Sequence, residues 1–167
     1  MRLFFALWPD AASRLRLAAR AAELAIECGG RAVPQANIHV TLAFLGEVDA
    51  KRVPDLHAAA SRLDLEPFRL ELECLGSFSG ARVGWAAPWR MPEALAGMAA
   101  RLATALNAQG FVLEDRPFAP HATLVRRIDR GVASRAIDPI GWRVEKFALV
   151  ESRRGTGRYE TLGAFGR

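Results

Sequence analysis

Two short histidine–threonine motifs carry the clearest chemistry in this chain. The sequence HVTL at positions 39–42 recurs as HATL at 121–124, 82 residues later and almost half of the 167-residue length. An imidazole with a pKa near ~6.5 can accept or donate a proton at neutral pH. A threonine hydroxyl can donate a hydrogen bond to a phosphate oxygen. The pair of motifs therefore predicts general acid–base catalysis on a phosphate ester, with one imidazole taking a proton from water and the other protonating the leaving oxygen.

The spacing within each motif has a structural meaning. On a β-strand, residues i and i+2 point to the same face. His39 and Thr41 are therefore predicted to project together, and so are His121 and Thr123. If the two halves are related by a pseudo-two-fold axis, all four side chains converge in one cleft. The third histidine, His57, has no threonine two places on, and we predict that it is a surface residue on a helix.

The elements that must position these motifs also repeat. A predicted strand and a predicted long helix precede each motif, which indicates a duplication with halves at roughly 1–80 and 81–167 within a single domain. The order of elements is mixed α+β and not a regular βαβα alternation. The predicted strands cover residues 2–8, 37–48, 67–74, 81–87, 121–126, 144–152 and 158–162, the predicted helices 10–27, 49–63 and 92–107, and a polar loop 129–138.

Composition excludes several classes of protein. No apolar run approaches the ~20 residues of a membrane helix, and the apolar N-terminal run is too short for a signal peptide, so we expect a cytoplasmic location and no membrane contact. The two cysteines, Cys28 and Cys74, have no CxxC or CxxH spacing, and we expect both to be buried. Only two histidines converge, which is too few for a zinc site, so we expect neither a metal nor a cofactor.

The charge is consistent with two interpretations. The formal net charge is +5, and Lys51 and Lys146 are the only lysines among 23 basic residues. A guanidinium binds phosphate through a planar, bidentate fork, which favours an anionic substrate. A sequence rich in alanine and arginine is equally consistent with a bias in base composition of the gene.

Beyond the motifs themselves, the chain resembles the 2H phosphoesterase superfamily, and within it the RNA 2',3'-cyclic phosphodiesterase family, also described as 2'-5' RNA ligase-like. The resemblance covers nearly the whole chain. It rests on five segments: MRLFFALWPD, NIHVTLAFLGEV, LGSFSGARVGWAAP, RPFAPHATLVR and ESRRGTGRYETL.

The resemblance implies two pseudo-symmetric lobes, each an antiparallel sheet with flanking helices, and an active-site cleft between them. It implies metal-independent opening of a terminal 2',3'-cyclic phosphate to a 2'-phosphate. By position, His39 matches the proton donor and His121 the proton acceptor, and Thr41 and Thr123 match the phosphate-binding hydroxyls. The chemistry alone leaves the direction open, because either histidine can act as the acid. The expected partners are RNA ends or cyclic nucleotides, bound by a monomer.

Three further residues are candidates for substrate contacts. Arg126 follows His121 by five positions, and this odd offset puts it on the other face of a regular strand unless the strand bends or bulges. Phe44 and Tyr159 can stack on a base, as aromatic side chains do in single-stranded RNA recognition, or can simply pack in the core.

Alternative functions remain open at this stage. The same cleft could act on 2'-5' linked oligonucleotides, as a phosphodiesterase or a reversible ligase, or on another cyclic phosphate such as ADP-ribose 1'',2''-cyclic phosphate. A non-enzymatic RNA-binding module is the alternative from a different class. It does not need a second titratable imidazole, so the presence of both motifs argues against it.

Overall fold

Within residues 1–166, nine β-strands and three α-helices form a mixed α+β fold, as the sequence predicts. The computed structural model describes residues 1–166, and all strand pairs within them are antiparallel. The strands are β1 (Arg2–Leu7), β2 (Arg31–Ala32), β3 (Val40–Glu47), β4 (Phe68–Phe78), β5 (Val83–Ala87), β6 (Ala122–Arg126), β7 (Arg135–Val144), β8 (Lys146–Arg153) and β9 (Arg158–Gly166), and the helices are α1 (Ala11–Cys28), α2 (Val53–Ser61) and α3 (Glu93–Ala108).

The strands form two groups of four that meet at one narrow junction. The order across the sheet is β7-β4-β5-β6-β3-β1-β8-β9, and β2 pairs with β6 beside β3. We call β3, β1, β8 and β9 the first lobe and β6, β5, β4 and β7 the second lobe. Among the described residues, β3 and β6 share the single register pair Val40 and Ala122. Because each lobe begins at the junction with a motif strand, the two motifs lie side by side.

The boundary between the lobes differs from the predicted division near residue 80. Strand β4 precedes that point in the chain, yet it forms a hairpin with β5 and belongs to the second lobe. Strands β8 and β9 come from the C-terminal half, yet β8 pairs with β1 in the first lobe. The second lobe is therefore one continuous stretch, and the first lobe is assembled from both ends of the chain.

Helix α1 covers the sheet face that lies opposite the motif side chains. Asp10 begins it by accepting a hydrogen bond from the Ser13 amide at 2.7 Å, and this bond lowers the pKa of the Asp10 carboxyl. Gly29 ends the helix in a left-handed conformation that glycine adopts without strain. Leu17 and Leu24, at helical spacing, are buried on its inner face, and the helix packs on β6 and β7.

Two strands extend beyond the residues that the sequence predicts to be strand. Strand β7 begins at Arg135, inside the predicted loop 129–138. It is an edge strand, where a proline such as Pro139 is tolerated because its missing N–H faces outward. Strand β4 continues through Gly76 to Phe78, beyond the predicted end of this strand at residue 74. Gly76 lies directly over the Trp85 ring, which an added Cβ would overlap, so the glycine serves close packing.

The structure also shows how far the two cysteines and the third histidine are buried. Cys28 and Cys74 are both buried, as predicted, and they form no disulfide with each other. We predicted that His57 is a surface residue, but it is half-buried. Its ring packs on β9 against Gly163, with its centroid 5.4 Å from that of the Phe165 ring. No helix within residues 1–166 is long and apolar enough to cross a membrane.

Candidate active site

The junction between the lobes brings the two histidine–threonine motifs together. Val40 and Ala122, the paired residues, are both 0% exposed. Continuing their antiparallel register by one residue places His39 across from Thr123 and Thr41 across from His121. Because side chains alternate along a strand, these four share the face opposite Val40 and Ala122, and all four are half-buried. The predicted convergence of two imidazoles and two hydroxyls is therefore present in the structure.

Both imidazoles are oriented by the same kind of hydrogen bond. His39 Nδ1 donates to the carbonyl of Asn37 at 2.7 Å, and His121 Nδ1 donates to the carbonyl of Ala119 at 2.8 Å. A carbonyl oxygen only accepts, so each neutral ring carries its proton on Nδ1. This leaves Nε2 of each ring as the atom that exchanges a proton. In His39, Nε2 accepts a hydrogen bond from the Thr41 hydroxyl at 3.1 Å.

Aromatic rings surround His39. Its ring centroid lies 4.9 Å from that of Phe4, 5.4 Å from Trp8 and 5.3 Å from Tyr159. Burial among these rings lowers the pKa of His39 to about 4, and the positive charge of Arg126 acts in the same direction. The bond to Asn37 opposes this shift without cancelling it. His39 is therefore neutral in the free protein at pH 7.

His121 has a different environment. Phe78 contacts it edge-on, with ring centroids 5.1 Å apart. Burial lowers the pKa of His121, and the nearby guanidinium groups of Arg116 and Arg126 lower it further. His121 is thus also held in the neutral form, which a proton acceptor requires.

A β-bulge brings Arg126 to the same face as the second motif. On β5, Val83 and Trp85 share a face, and they pair with Arg126 and Thr123 respectively. Leu124 is the extra residue at this point, so it shifts the alternation of β6 by one position. The bulge therefore places Arg126 on the same face as His121 despite their odd offset. A bulge is the condition that the sequence sets for Arg126 to be a candidate for substrate contact. Arg126 is exposed and lowers the pKa of both motif histidines.

The first motif contains the equivalent bulge. Phe4 and Ala6 share a face of β1, and they pair with Phe44 and Thr41. The extra residue is Leu42, which corresponds to Leu124 at the same 82-residue separation. Phe44 thus occupies, in the first lobe, the position that Arg126 has in the second.

Phe44 and Tyr159 both border the site and pack on its wall. A small buried cluster of Phe4, Ala6, Ala148 and Val150 lies on the motif face of the first lobe, and Trp8, Phe44 and Tyr159 pack against it. Both candidate stacking residues are half-buried. Phe44 also lines the cavity beside the motif residues, whereas Tyr159 contacts the His39 ring.

A cavity of about 670 Å³ opens beside the motif residues. It extends from Thr41 and His121 toward the segment 113–119 and the C-terminal half of α3. The rings of Phe44, Phe78 and Phe118 line it. A volume of this size accommodates a ligand as large as a nucleotide, and the aromatic walls suit a base.

Several residues of the site were not predicted from the sequence. Phe4 and Trp8 form the wall behind His39, Phe78 contacts His121, and Arg116 influences the pKa of His121. The run LFFALW near the N-terminus is apolar on both faces of its strand, so alternation in the sequence does not show which ring faces the cleft. Only its pairing with β3 and β8 decides this.

Comparison with known proteins places this site in a described family. A family model for LigT-like phosphoesterases matches residues 7–85, a range that includes the first motif. The chain is 36% identical over 168 residues to the RNA 2',3'-cyclic phosphodiesterase of Escherichia coli, covering 96% of this chain and 93% of that protein. A protein of the same name from Thermus thermophilus is also 36% identical, with coverage of 91% and 82%.

Solved structures agree with the sequence comparison. The structure of Escherichia coli LigT complexed with 3'-AMP superimposes with a TM-score of 0.86 at 33% identity, covering 99% of this chain and 97% of that one. A structure of a Thermus thermophilus protein superimposes with a TM-score of 0.85 at 32% identity and the same coverage. Similarity of sequence and fold over nearly the full length, together with the paired motifs at the lobe junction, shows that the chain belongs to the LigT-like phosphoesterase family.

Proposed function

We propose that this protein hydrolyses the 2',3'-cyclic phosphate ends of RNA to 2'-phosphomonoesters. The observation that carries the proposal is the placement of His39 and His121, each with its threonine, on one face of the β3–β6 junction. Two oriented imidazoles serve as one proton acceptor and one proton donor. The names of the relatives from Escherichia coli and Thermus thermophilus support the choice of substrate.

The proposed reaction is an in-line displacement at phosphorus. His121 Nε2 takes a proton from the attacking water as its oxygen bonds to phosphorus. The bond from phosphorus to O3' breaks, and protonated His39 gives its proton to O3'. The product carries a 2'-phosphate and a free 3'-hydroxyl. His121 ends protonated and His39 neutral, so exchange with solvent restores the starting state.

Protonation of His39 is coupled to substrate binding. The free ring has a pKa of about 4 and is neutral at pH 7. An anionic phosphate beside Nε2 favours the charged form, so binding raises this pKa. The surrounding rings of Phe4, Trp8 and Tyr159 then make the imidazolium a stronger acid than it is in water, which suits protonation of a leaving alkoxide. The assignment of His39 as donor rests on its position in the family motif.

The remaining site residues have binding roles in this proposal. Thr41 and Thr123 donate hydrogen bonds to the non-bridging phosphate oxygens. Arg126 binds phosphate or ribose, and Phe44 and Tyr159 stack on or border the nucleoside. The proposed steps use only these side chains and need neither a metal nor a cofactor.

We further propose that the chain acts as a monomeric single-domain enzyme in the cytoplasm. Each lobe supplies one motif from the same chain, so no partner is needed to complete the site. The two buried cysteines, which form no disulfide, fit a reducing compartment.

The identity of the product tests the proposal. The protein is incubated with 2',3'-cyclic AMP, and the phosphate isomer is identified by chromatography against 2'-AMP and 3'-AMP standards. We expect 2'-AMP. A 3'-AMP product would contradict the proposed leaving group, and absence of turnover on both this compound and a cyclic-phosphate-ended oligonucleotide would contradict the proposed activity.

A further inference from the structure

A second arginine lies directly beside Arg126. Strand β2 consists of two residues, and its register places Arg31 across from Arg126 on β6. Paired residues in an antiparallel ladder project to the same face, with Cβ atoms about 5 Å apart. Arg31 therefore shares the motif face, one strand away from Arg126. Both side chains are exposed.

The backbone before Arg31 is held tightly against β6. Gly29 is in the left-handed region with φ 72° and turns the chain out of α1. A Cβ added at Gly30 would lie 2.5 Å from Val125 Cγ1 and 2.7 Å from the Arg126 carbonyl oxygen. The Val33 amide donates to the Leu124 carbonyl at 2.8 Å on the other side. These contacts fix the position of Arg31 relative to Arg126.

The two like charges have no carboxylate between them. Neither Arg31 nor Arg126 forms an ion pair within residues 1–166. The two acidic side chains of this region bind other arginines: Asp129 pairs with Arg82 at 3.1 Å, and Glu27 pairs with Arg135 at 2.6 Å. Like charges directly opposite each other on a sheet are unfavourable, so the pair is suited to an anion that neutralises both.

We propose that Arg31, together with Arg126, binds the phosphodiester on the 5' side of the terminal nucleotide. This proposal deepens the proposed function, on which it rests. Arg126 lowers the pKa of both motif histidines. Arg31 lies across from Arg126 on the edge of β6 that β3 also occupies, and it is not among the charges that shift either pKa, so it extends the positive charge away from the two imidazoles. A cyclic mononucleotide without a 5'-phosphate does not use this second position. The enzyme therefore prefers oligonucleotide ends over cyclic mononucleotides.

The test compares three substrates, of which the two dinucleotides differ only in the charge of the internal linkage. They are 2',3'-cyclic AMP, the dinucleotide ApA with a terminal 2',3'-cyclic phosphate, and the same dinucleotide with a neutral methylphosphonate in place of its internal phosphodiester. The value of kcat/KM is measured for wild-type protein, Arg31→Ala and Arg31→Lys. Arg20→Ala is the matched control, since it removes one positive charge from α1, where Arg20 pairs with Glu23. Thermal melting checks that each variant is folded.

We expect Arg31→Ala to lower the preference for the dinucleotide over 2',3'-cyclic AMP about tenfold, as loss of a charged hydrogen bond does. Arg31→Lys retains part of the preference, because it keeps the charge and loses the bidentate geometry. Added salt weakens the wild-type preference. No variant should strongly prefer the methylphosphonate dinucleotide over 2',3'-cyclic AMP. Arg20→Ala should show the same preferences as wild-type protein.

Two results would overturn this inference. One is an unchanged preference in Arg31→Ala. The other is an equal loss for the phosphodiester and methylphosphonate dinucleotides, which would indicate a contact with sugar or base. Wild-type protein that is inactive on all three substrates would instead refute the proposed function. Binding of a fluorescently labelled dinucleotide, measured by anisotropy in wild type and Arg31→Ala, then decides the inference independently of activity.

Discussion

Val40 on β3 pairs with Ala122 on β6, and within residues 1–166 this is the single register pair between the two motif strands. Both residues directly follow a motif histidine, so the pairing relates the two motifs by a local two-fold axis. An in-line displacement needs a base and an acid on opposite sides of phosphorus, and a two-fold arrangement provides them. The same pairing brings His39 near Arg126 on β6, and the charge of Arg126 lowers the pKa of both motif histidines.

Replacement of either motif histidine should nearly abolish turnover. His39→Ala and His121→Ala are each expected to lower kcat for 2',3'-cyclic AMP about a thousandfold, because each removes a general acid or base. His57→Ala, on α2, is the control and should retain activity. Near-full activity in either motif variant, with folding verified by circular dichroism, would contradict the two-histidine mechanism.

Loss of a motif hydroxyl should have a smaller effect. Thr41→Ala or Thr123→Ala removes one hydrogen bond to the phosphate, so we expect kcat/KM to fall about tenfold or more. Serine at either position keeps the hydroxyl and should preserve most of the activity. Thr104→Ala is a suitable control, since that hydroxyl donates to the Ala100 carbonyl within its own helix. Wild-type kinetics in both alanine variants would rule out the proposed phosphate contacts.

The ionisation of His39 should respond to ligand. In the free protein its ring should titrate near pH 4, because burial among aromatic rings disfavours the charged form. Binding of 2'-AMP should raise this pKa, since the phosphate is anionic. Chemical shifts of the imidazole Hε1 followed by NMR against pH measure both values. A His39 signal that titrates near pH ~6.5, the value of an unperturbed imidazole, with and without ligand would contradict the proposed coupling.

The same pKa makes folding stability depend on pH. Unfolded His39 titrates near ~6.5 and the folded ring at about 4, so between these values the unfolded state binds more protons. The stabilisation is present above pH ~6.5 and is lost as pH falls toward 4, with a maximum of about 3 kcal/mol. Denaturant unfolding at several pH values measures the slope. His39→Gln should flatten it, and an identical slope in that variant would assign the pH dependence to other groups.

Activity should not require a metal ion. The proposed chemistry uses two imidazoles and two hydroxyls, so turnover of 2',3'-cyclic AMP should persist after extensive dialysis against EDTA. A loss of activity that added Zn²⁺ restores would overturn the metal-independent mechanism.

The pH–rate profile should be bell-shaped, reflecting one acid and one base.

Local sequence was sufficient for the motifs and the helices. The i, i+2 spacing of His39 with Thr41, and of His121 with Thr123, already requires each pair to share a strand face. Asp10 and Gly29 mark the ends of α1 because capping is a local hydrogen-bonding problem. These features depend on residues within a few positions of one another, so they can be predicted from the sequence.

Pairing between distant strands decided the rest. The assignment of β4 to the second lobe, the bulges at Leu42 and Leu124 and the approach of Arg31 to Arg126 all depend on register between segments far apart in sequence. A shift of one residue in the pairing register moves a side chain to the opposite face of a sheet. The residues next to it in sequence do not indicate which register forms. The sequence alone thus determined which groups are proposed to carry the chemistry, whereas the tertiary structure determined which arginines and aromatic rings surround them.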